Sequence, residues 1–163
     1  YHPIPVVCAE AEGIVVRDPE GREYMDFLSA YSAVNQGHGH PRILKALTTQ
    51  AKRLALSSRA FYNDMLPRFA EYIHEYFGYD MVLPMNTGAE GVETAIKLAR
   101  KWAYEKKGVP SQEAVVISAL ECFHGRTTLA ISLSCDDEAR DGFGPFVPNV
   151  RKVPYNDVAA LSA

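Results

Sequence analysis

Between Met81 and Ala119 the chain runs from a short apolar stretch, through a glycine-bearing turn, into one long amphipathic segment and out into a second apolar stretch. No other part of the sequence restricts the fold as much. Met81-Val82-Leu83-Pro84-Met85 and Ala114-Val115-Val116-Ile117-Ser118-Ala119 read as short strands, the second continuous enough to be a buried parallel strand. Between them Val92, Ala95, Ile96, Ala99, Trp102 and Ala103 recur at helical spacing. Glu93, Lys97, Arg100 and Lys101 take the opposite side, and Gly108 and Pro110 end the segment. Strand, helix, strand is the order of a βαβ unit and a parallel sheet. The expected class is α/β.

Upstream the pattern is different. Gly13-Ile14-Val15-Val16, the turn Asp18-Pro19-Glu20-Gly21 and an alternating stretch over Tyr24–Leu28 predict a small antiparallel β element. Tyr31 to His40 is polar, glycine-bearing and aperiodic, and reads as a loop. Pro41 can open a helix with Ile43, Leu44, Leu47, Ala51 and Leu54 on one stripe. A second helix is expected from Asn63 or Asp64, with Leu66, Phe69, Ala70, Ile73 and Phe77 apolar and Gly78 as its stop. The composition shifts near residue 40, from a β-rich start to an α/β remainder. Asn156 to Ala163 reads as the start of another helix.

Composition removes whole classes. An apolar content of 47% with a net charge of −3 is not that of a disordered chain. No apolar run approaches ~18 residues, so no membrane span is expected. A mildly acidic balance offers no electrostatic case for nucleic acid. Three cysteines, Cys8, Cys122 and Cys135, suggest free thiols in a reducing compartment. There is no G-x-x-x-x-G-K-[ST], no G-x-G-x-x-G after a strand, no G-x-S-x-G and no H-E-x-x-H. His38 and His40 lack a third ligand, so no metal is expected.

Two segments could carry chemistry. Asn86-Thr87-Gly88-Ala89-Glu90 lies where the long helix begins. A helix start leaves N–H groups unpaired at its positive end, and glycine lets backbone approach a phosphate closely. The same residues can also be an ordinary cap, with Thr87 or Asn86 capping and Gly88 easing the turn. Phe123-His124-Gly125-Arg126 follows the buried strand, at the end of a parallel sheet where sites gather. There an arginine can grip a carboxylate with its fork and an aromatic can stack on a flat ring. A surface arginine beside a core phenylalanine is the plainer reading of the same residues. Tyr31 and Tyr1 are weaker candidates, since loop tyrosines usually serve packing.

Taken together these stretches are similar to the class III pyridoxal-phosphate aminotransferases. The resemblance rests on N-T-G-A-E-G-V-E-T-A-I-K-L-A-R-K, on F-H-G-R-T one strand later, and on D-P-E-G-R-E-Y-M-D-F, N-Q-G-H-G-H-P and D-G-F-G-P-F. It covers essentially the whole chain. Within the family, F-L-S-A-Y-S-A-V-N-Q-G-H, S-S-R-A-F-Y-N and V-L-P-M-N-T-G look most like members that use ornithine. The resemblance implies a fold-type-I homodimer with a mostly parallel sheet flanked by helices. Residues 1–40 would belong to a small domain and 41–163 to the first part of a large cofactor-binding domain. Thr87, Gly88 and Ala89 would hold the phosphate of pyridoxal 5'-phosphate, and Phe123 would stack on its ring. Arg126 would grip the substrate carboxylate, with Tyr31 and Tyr1 lining the substrate pocket. The implied reaction moves the δ-amino group of ornithine to 2-oxoglutarate. Sister enzymes acting on acetylornithine or 4-aminobutyrate, and a non-catalytic fragment, are the alternatives. None of the seven lysines stands in the family's Schiff-base context, so the chain is expected to be the N-terminal part of a longer enzyme. The implied compartment is the mitochondrial matrix or the cytoplasm.

Overall fold

The computed structural model describes residues 2–162. The chain packs as two units, with the boundary between Phe69 and Ala70.

The first unit opens with an antiparallel sheet of three short strands, β1 (Glu10–Glu12), β2 (Val15–Arg17) and β3 (Glu23–Met25), in the order β1-β2-β3. The expected β element is present, with one strand more than the sequence pattern suggested. Glu10-Ala11-Glu12 carries two acids and no apolar alternation, and all three residues are exposed, so hydropathy cannot find it. Val16 pairs with both Ala11 and Tyr24 and is buried. The turn between β2 and β3 is organised by Asp18, which is 5% exposed. Its carboxylate accepts from the Glu20 and Arg22 N–H groups (3.1 and 2.9 Å), Arg22 Nε (2.6 Å) and the Tyr24 hydroxyl (3.0 Å). Burial pushes the Asp18 carboxyl upward, but these bonds outweigh it and hold the group below its ordinary value.

A four-residue turn, α1 (Ser29–Ser32), interrupts the stretch expected to be a loop. The helix α2 (Pro41–Leu54) begins at its proline as expected. The helix α3 (Met65–Phe77) is started by Asn63, whose Oδ1 accepts from the Met65 and Leu66 N–H groups (3.0 and 2.9 Å). Gly78, at φ +73°, ends it.

In the second unit α4 (Gly88–Glu105) is the long amphipathic helix, with Ile96 buried. β4 (Val116–Ala119) and β5 (Val150–Val153) pair in parallel, Val116 against Val150 and Ala119 against Val153. The connection between them carries α5 (Thr128–Leu133) and α6 (Asp137–Arg140), and α7 (Val158–Ser162) follows β5. The parallel pair matches the α/β expectation, but Met81–Met85 is not a strand. That segment has no ladder partner among the described residues, and Pro84 has no N–H to give one.

The core of this unit centres on α5, where Ala130, Ile131, Ser132 and Leu133 are all buried. Ser118 Oγ on β4 donates to the Leu133 carbonyl (2.9 Å), fixing helix to strand. The last carbonyls of α5 are met by cations. Arg140 donates to the Ile131 and Ser134 carbonyls (2.7 and 3.0 Å) while its guanidinium lies 3.9 Å from the Phe146 ring centre. Lys152 also donates to the Ser134 carbonyl, and burial, followed by the charge of Arg140, holds its ammonium below the usual lysine value. Elsewhere apolar side chains are open: α2 and α3 contain no buried residue.

Candidate functional site

The start of α4 is a complete capping box. Thr87 is extended (φ −138°, ψ 161°), and its Oγ1 accepts from the Glu90 N–H (3.1 Å). Glu90 Oε2 in turn accepts from the N–H groups of Asn86 (2.9 Å) and Thr87 (3.2 Å). The plain capping reading of this motif is thus what the backbone does. It does not use up the site. Gly88 and Ala89 stand in the first turn, where N–H groups have no intrahelical carbonyl. Thr87 Oγ1 is an acceptor in the cap, so its own O–H is available to donate elsewhere. A Cβ built at Gly88 would meet nothing within 4 Å, and its φ is not left-handed. Neither strain nor packing within the chain calls for glycine at that position. A glycine there leaves the backbone open to close approach. The donor set at this end of α4 fits a phosphate group.

The second segment is seated on the first. Gly125 lies at φ +125°, and a Cβ there would stand 3.0 Å from the Ala89 Cβ and 3.4 Å from the Ala130 Cβ. Only glycine lets the Phe123–Arg126 loop lie this close to the first turn of α4. Just beyond, Thr127 caps α5 by accepting from the Ala130 N–H (3.3 Å). The loop presents Phe123, 73% exposed, with the Arg126 guanidinium 5.8 Å from its ring centre. Phe123, His124 and Arg126 line one cleft together with Cys122 and Cys135. Cys122 Sγ donates to the Leu133 carbonyl (3.4 Å), a structural contact. The two segments singled out in the sequence, Thr87–Ala89 and Phe123–Arg126, are therefore neighbours through Ala89 and Gly125.

Tyr31 belongs to the first unit and sits on a backbone that sequence patterns do not foretell. φ is positive at Ser29, Ala30, Tyr31 and Ser32 (50°, 48°, 56° and 69°), so α1 is a left-handed turn of four non-glycine residues. Such a conformation costs about 1–2 kcal/mol per residue. Asp26 is placed to offset part of it. Its Oδ1 accepts from the Leu28 and Ser29 N–H groups (2.9 and 2.8 Å), and its Oδ2 is 2.7 Å from His38 Nε2. The bond from His38, then those from Ser29 and Leu28, hold the Asp26 carboxyl below its ordinary value. Tyr31 projects into solvent at 84% exposure and lines an apolar groove with Phe27, Leu28 and Ala30. Tyr1 lies outside the described residues.

Sequence reasoning missed Glu90 and the Asp26–His38 pair. Glu90 could have been found, because Thr87-x-x-Glu90 before an apolar stripe is the capping-box spacing. The Asp26–His38 pair spans twelve residues and has no local signal.

A capped helix start, with an aromatic and an arginine on an adjoining loop of a parallel α/β unit, is an arrangement able to receive a phosphate-bearing ligand. The sequence model of the family described as aminotransferase class-III matches residues 1–163, and the chain belongs to that family. It is 62% identical over 169 residues to the ornithine aminotransferase of Emericella nidulans, covering 99% of this chain and 37% of that protein. To the mitochondrial ornithine aminotransferase of Oryza sativa it is 64% identical over 161 residues, covering 99% of this chain and 34% of that protein. The crystal structure of the ornithine aminotransferase from Toxoplasma gondii superposes with a TM-score of 0.95 at 47% identity, covering 98% of this chain and 38% of that one. The chain thus spans little more than a third of the length of these relatives.

Proposed function

We propose that this chain is part of a pyridoxal-phosphate-dependent ornithine aminotransferase. The enzyme transfers the δ-amino group of L-ornithine to 2-oxoglutarate, giving glutamate semialdehyde and glutamate, and works as a homodimer of fold type I. Residues 1–40 belong to its small domain and 41–163 to its large one. The observation that supports the reading is the seating of Gly125, on the loop that carries Phe123 and Arg126, against Ala89 in the first turn of α4. The identity to relatives named ornithine aminotransferase supports the choice of amino donor.

In this reading the Gly88 and Ala89 N–H groups and the Thr87 hydroxyl donate to the cofactor phosphate. Phe123 offers its exposed face to the cofactor ring. Arg126 fixes the substrate carboxylate, and Tyr31 and Tyr1 contact the substrate. Pyridoxal phosphate, when bound, supplies the carbonyl and the electron sink of transamination. None of the seven lysines of the chain is assigned as its covalent anchor. The compartment is the mitochondrial matrix or the cytoplasm.

The test is kcat/KM of the full-length enzyme for ornithine, acetylornithine and 4-aminobutyrate, each with 2-oxoglutarate. Ornithine is expected to be preferred by at least about a hundredfold, the discrimination that polar recognition readily supplies. A preference for either other amine removes the ornithine assignment and leaves the family.

A further inference from the structure

The left-handed turn α1 closes backbone bonds of its own, from the Ser32 N–H to the Leu28 carbonyl and from the Ala33 N–H to the Ala30 carbonyl (both 3.3 Å), and a side chain meets the N–H groups at its entrance. Asp26 bonds two consecutive N–H groups at its entrance, Leu28 and Ser29, through one oxygen. The other oxygen is taken by His38 Nε2 at 2.7 Å. Both residues are anchored by their backbones to neighbouring positions before β2. The Asp26 N–H donates to the Ile14 carbonyl (2.8 Å), while His38 and Gly13 exchange two backbone bonds (2.8 and 2.9 Å). Gly37 permits that bridge, since a Cβ there would stand 3.2 Å from the Gly13 backbone. The side chains of Asp26 and His38 are 16% and 25% exposed. The carboxylate is thus fixed at both oxygens and by its own backbone.

We propose that Asp26 and His38 are positioning residues: they clamp the left-handed turn and so set where Tyr31 stands. The consequence for substrate choice rests on the substrate-facing role proposed above for Tyr31. The clamp itself does not. His38 holds Oδ2 on one side while Oδ1 meets the turn on the other. His38 is held in turn by the bridge to Gly13. Tyr31 is carried on the turn without a bond of its own being needed to place it.

The experiment uses the full-length enzyme with pyridoxal phosphate bound, in two arms. Amide hydrogen exchange at Leu28 and Ser29 reads the clamp. It is expected to speed up at least about tenfold in Asp26→Ala and in His38→Leu, with the amides of β2 unchanged. The ratio of kcat/KM for ornithine to that for 4-aminobutyrate reads the consequence. Tyr31→Ile and His38→Leu are expected to lower it by similar factors, and the double variant by no more than Tyr31→Ile alone. His38→Gln, which keeps a donor at the right reach, is expected to restore most of the ratio and of the slow exchange. Should His38→Leu fail to fold, Asp26→Ala carries both arms, with His38→Gln as the control that keeps them unchanged. Unchanged exchange at Leu28 and Ser29 overturns the proposal. So does a shift in ratio for Tyr31→Ile that His38→Leu does not share, or one that adds to it. If Tyr31→Ile leaves the ratio unchanged while exchange speeds up, the clamp stands and the role given to Tyr31 falls.

Discussion

At Thr87 the chain starts a right-handed helix whose unpaired N–H groups are met by residues within four positions, Thr87 and Glu90. At Ser29 it makes a left-handed turn whose support comes from Asp26, three residues back, and from His38, held by its bridge to Gly13. The first costs little, because a capped helix start is a favourable local structure. The second is unfavourable in every residue, and the carboxylate that meets it is itself bonded by His38, twelve positions on. Locally specified geometry tolerates the loss of one group. Geometry imposed from a distance gives way when any link is removed. This contrast also decides which part of the chain sequence reading could reach.

The sharpest way to break the first region is not at its cap but where the Phe123–Arg126 loop rests on it. Gly125→Ala places a Cβ 3.0 Å from that of Ala89, at a φ of +125° that L side chains rarely adopt. A destabilisation of about 3 kcal/mol is expected, at the upper end for a strained backbone position. Denaturant unfolding of the full-length enzyme measures it. A change below about 1 kcal/mol means the loop relaxes freely, and its seating on α4 is then not a fixed feature.

Next in size is Arg126→Lys, which keeps the charge and loses the planar fork. The expected loss is about 2 kcal/mol in transition-state stabilisation, from the range for a hydrogen bond to a charged group. It should appear in kcat/KM for both ornithine and 2-oxoglutarate, since each presents a carboxylate. Unchanged kinetics for both would remove the substrate-binding role from Arg126.

The start of α4 separates cap from ligand site by a pair of variants. Thr87→Ala removes the acceptor for the Glu90 N–H and is expected to destabilise by about 1 kcal/mol. A Cβ at Gly88 meets no protein atom within 4 Å, so the effect of Gly88→Val on stability is expected to stay below about 1 kcal/mol, the usual cost of a tolerated surface change. Its effect on pyridoxal phosphate affinity, measured by titration, is expected to exceed tenfold, because a side chain there keeps phosphate from the backbone. Equal affinities in wild type and Gly88→Val would reduce the motif to its cap.

Why one region was legible and the other was not follows from the range of the forces. The helix α4, its start near Thr87, the helix at Pro41 and the parallel strand at Val116 are written in spacing, capping residues and β-branched runs, all local. The failures share the opposite property. Met81–Met85 has the hydropathy of a strand, but a strand exists only when a partner is bonded to it. Glu10–Glu12 is a strand without the hydropathy, because β2 supplies the ladder. The left-handed turn over Ser29–Ser32 contradicts the preference of each of its residues, and Asp26 and His38 are separated by eleven others. Of the proposed site, Thr87, Gly88, Ala89, Phe123 and Arg126 were marked by motif, and Gly125 joined the two motifs only when its contact with Ala89 became visible.

The smallest effect expected is a pH dependence confined to the second region. The Asp26 carboxyl titrates below its ordinary value of 3.8 in the folded chain, chiefly because of His38 and then Ser29. Between the folded value and the ordinary one, the unfolded chain binds more protons than the folded one, so stability rises with pH across that window. The contribution of Asp26 is therefore complete above the ordinary carboxylate value and is lost as pH falls through the lower, folded value. Comparing wild type with Asp26→Asn isolates it. The gap in unfolding midpoint between the two should close as pH falls below about pH 4, where the unfolded carboxyl begins to take its proton. Asp18 titrates below its ordinary value as well, but it is present in both proteins and cancels in the difference. A gap that stays constant to the lowest pH at which the protein folds would show that the carboxylate charge contributes nothing to the turn. Asp26 would then act there only as a neutral acceptor for Leu28 and Ser29.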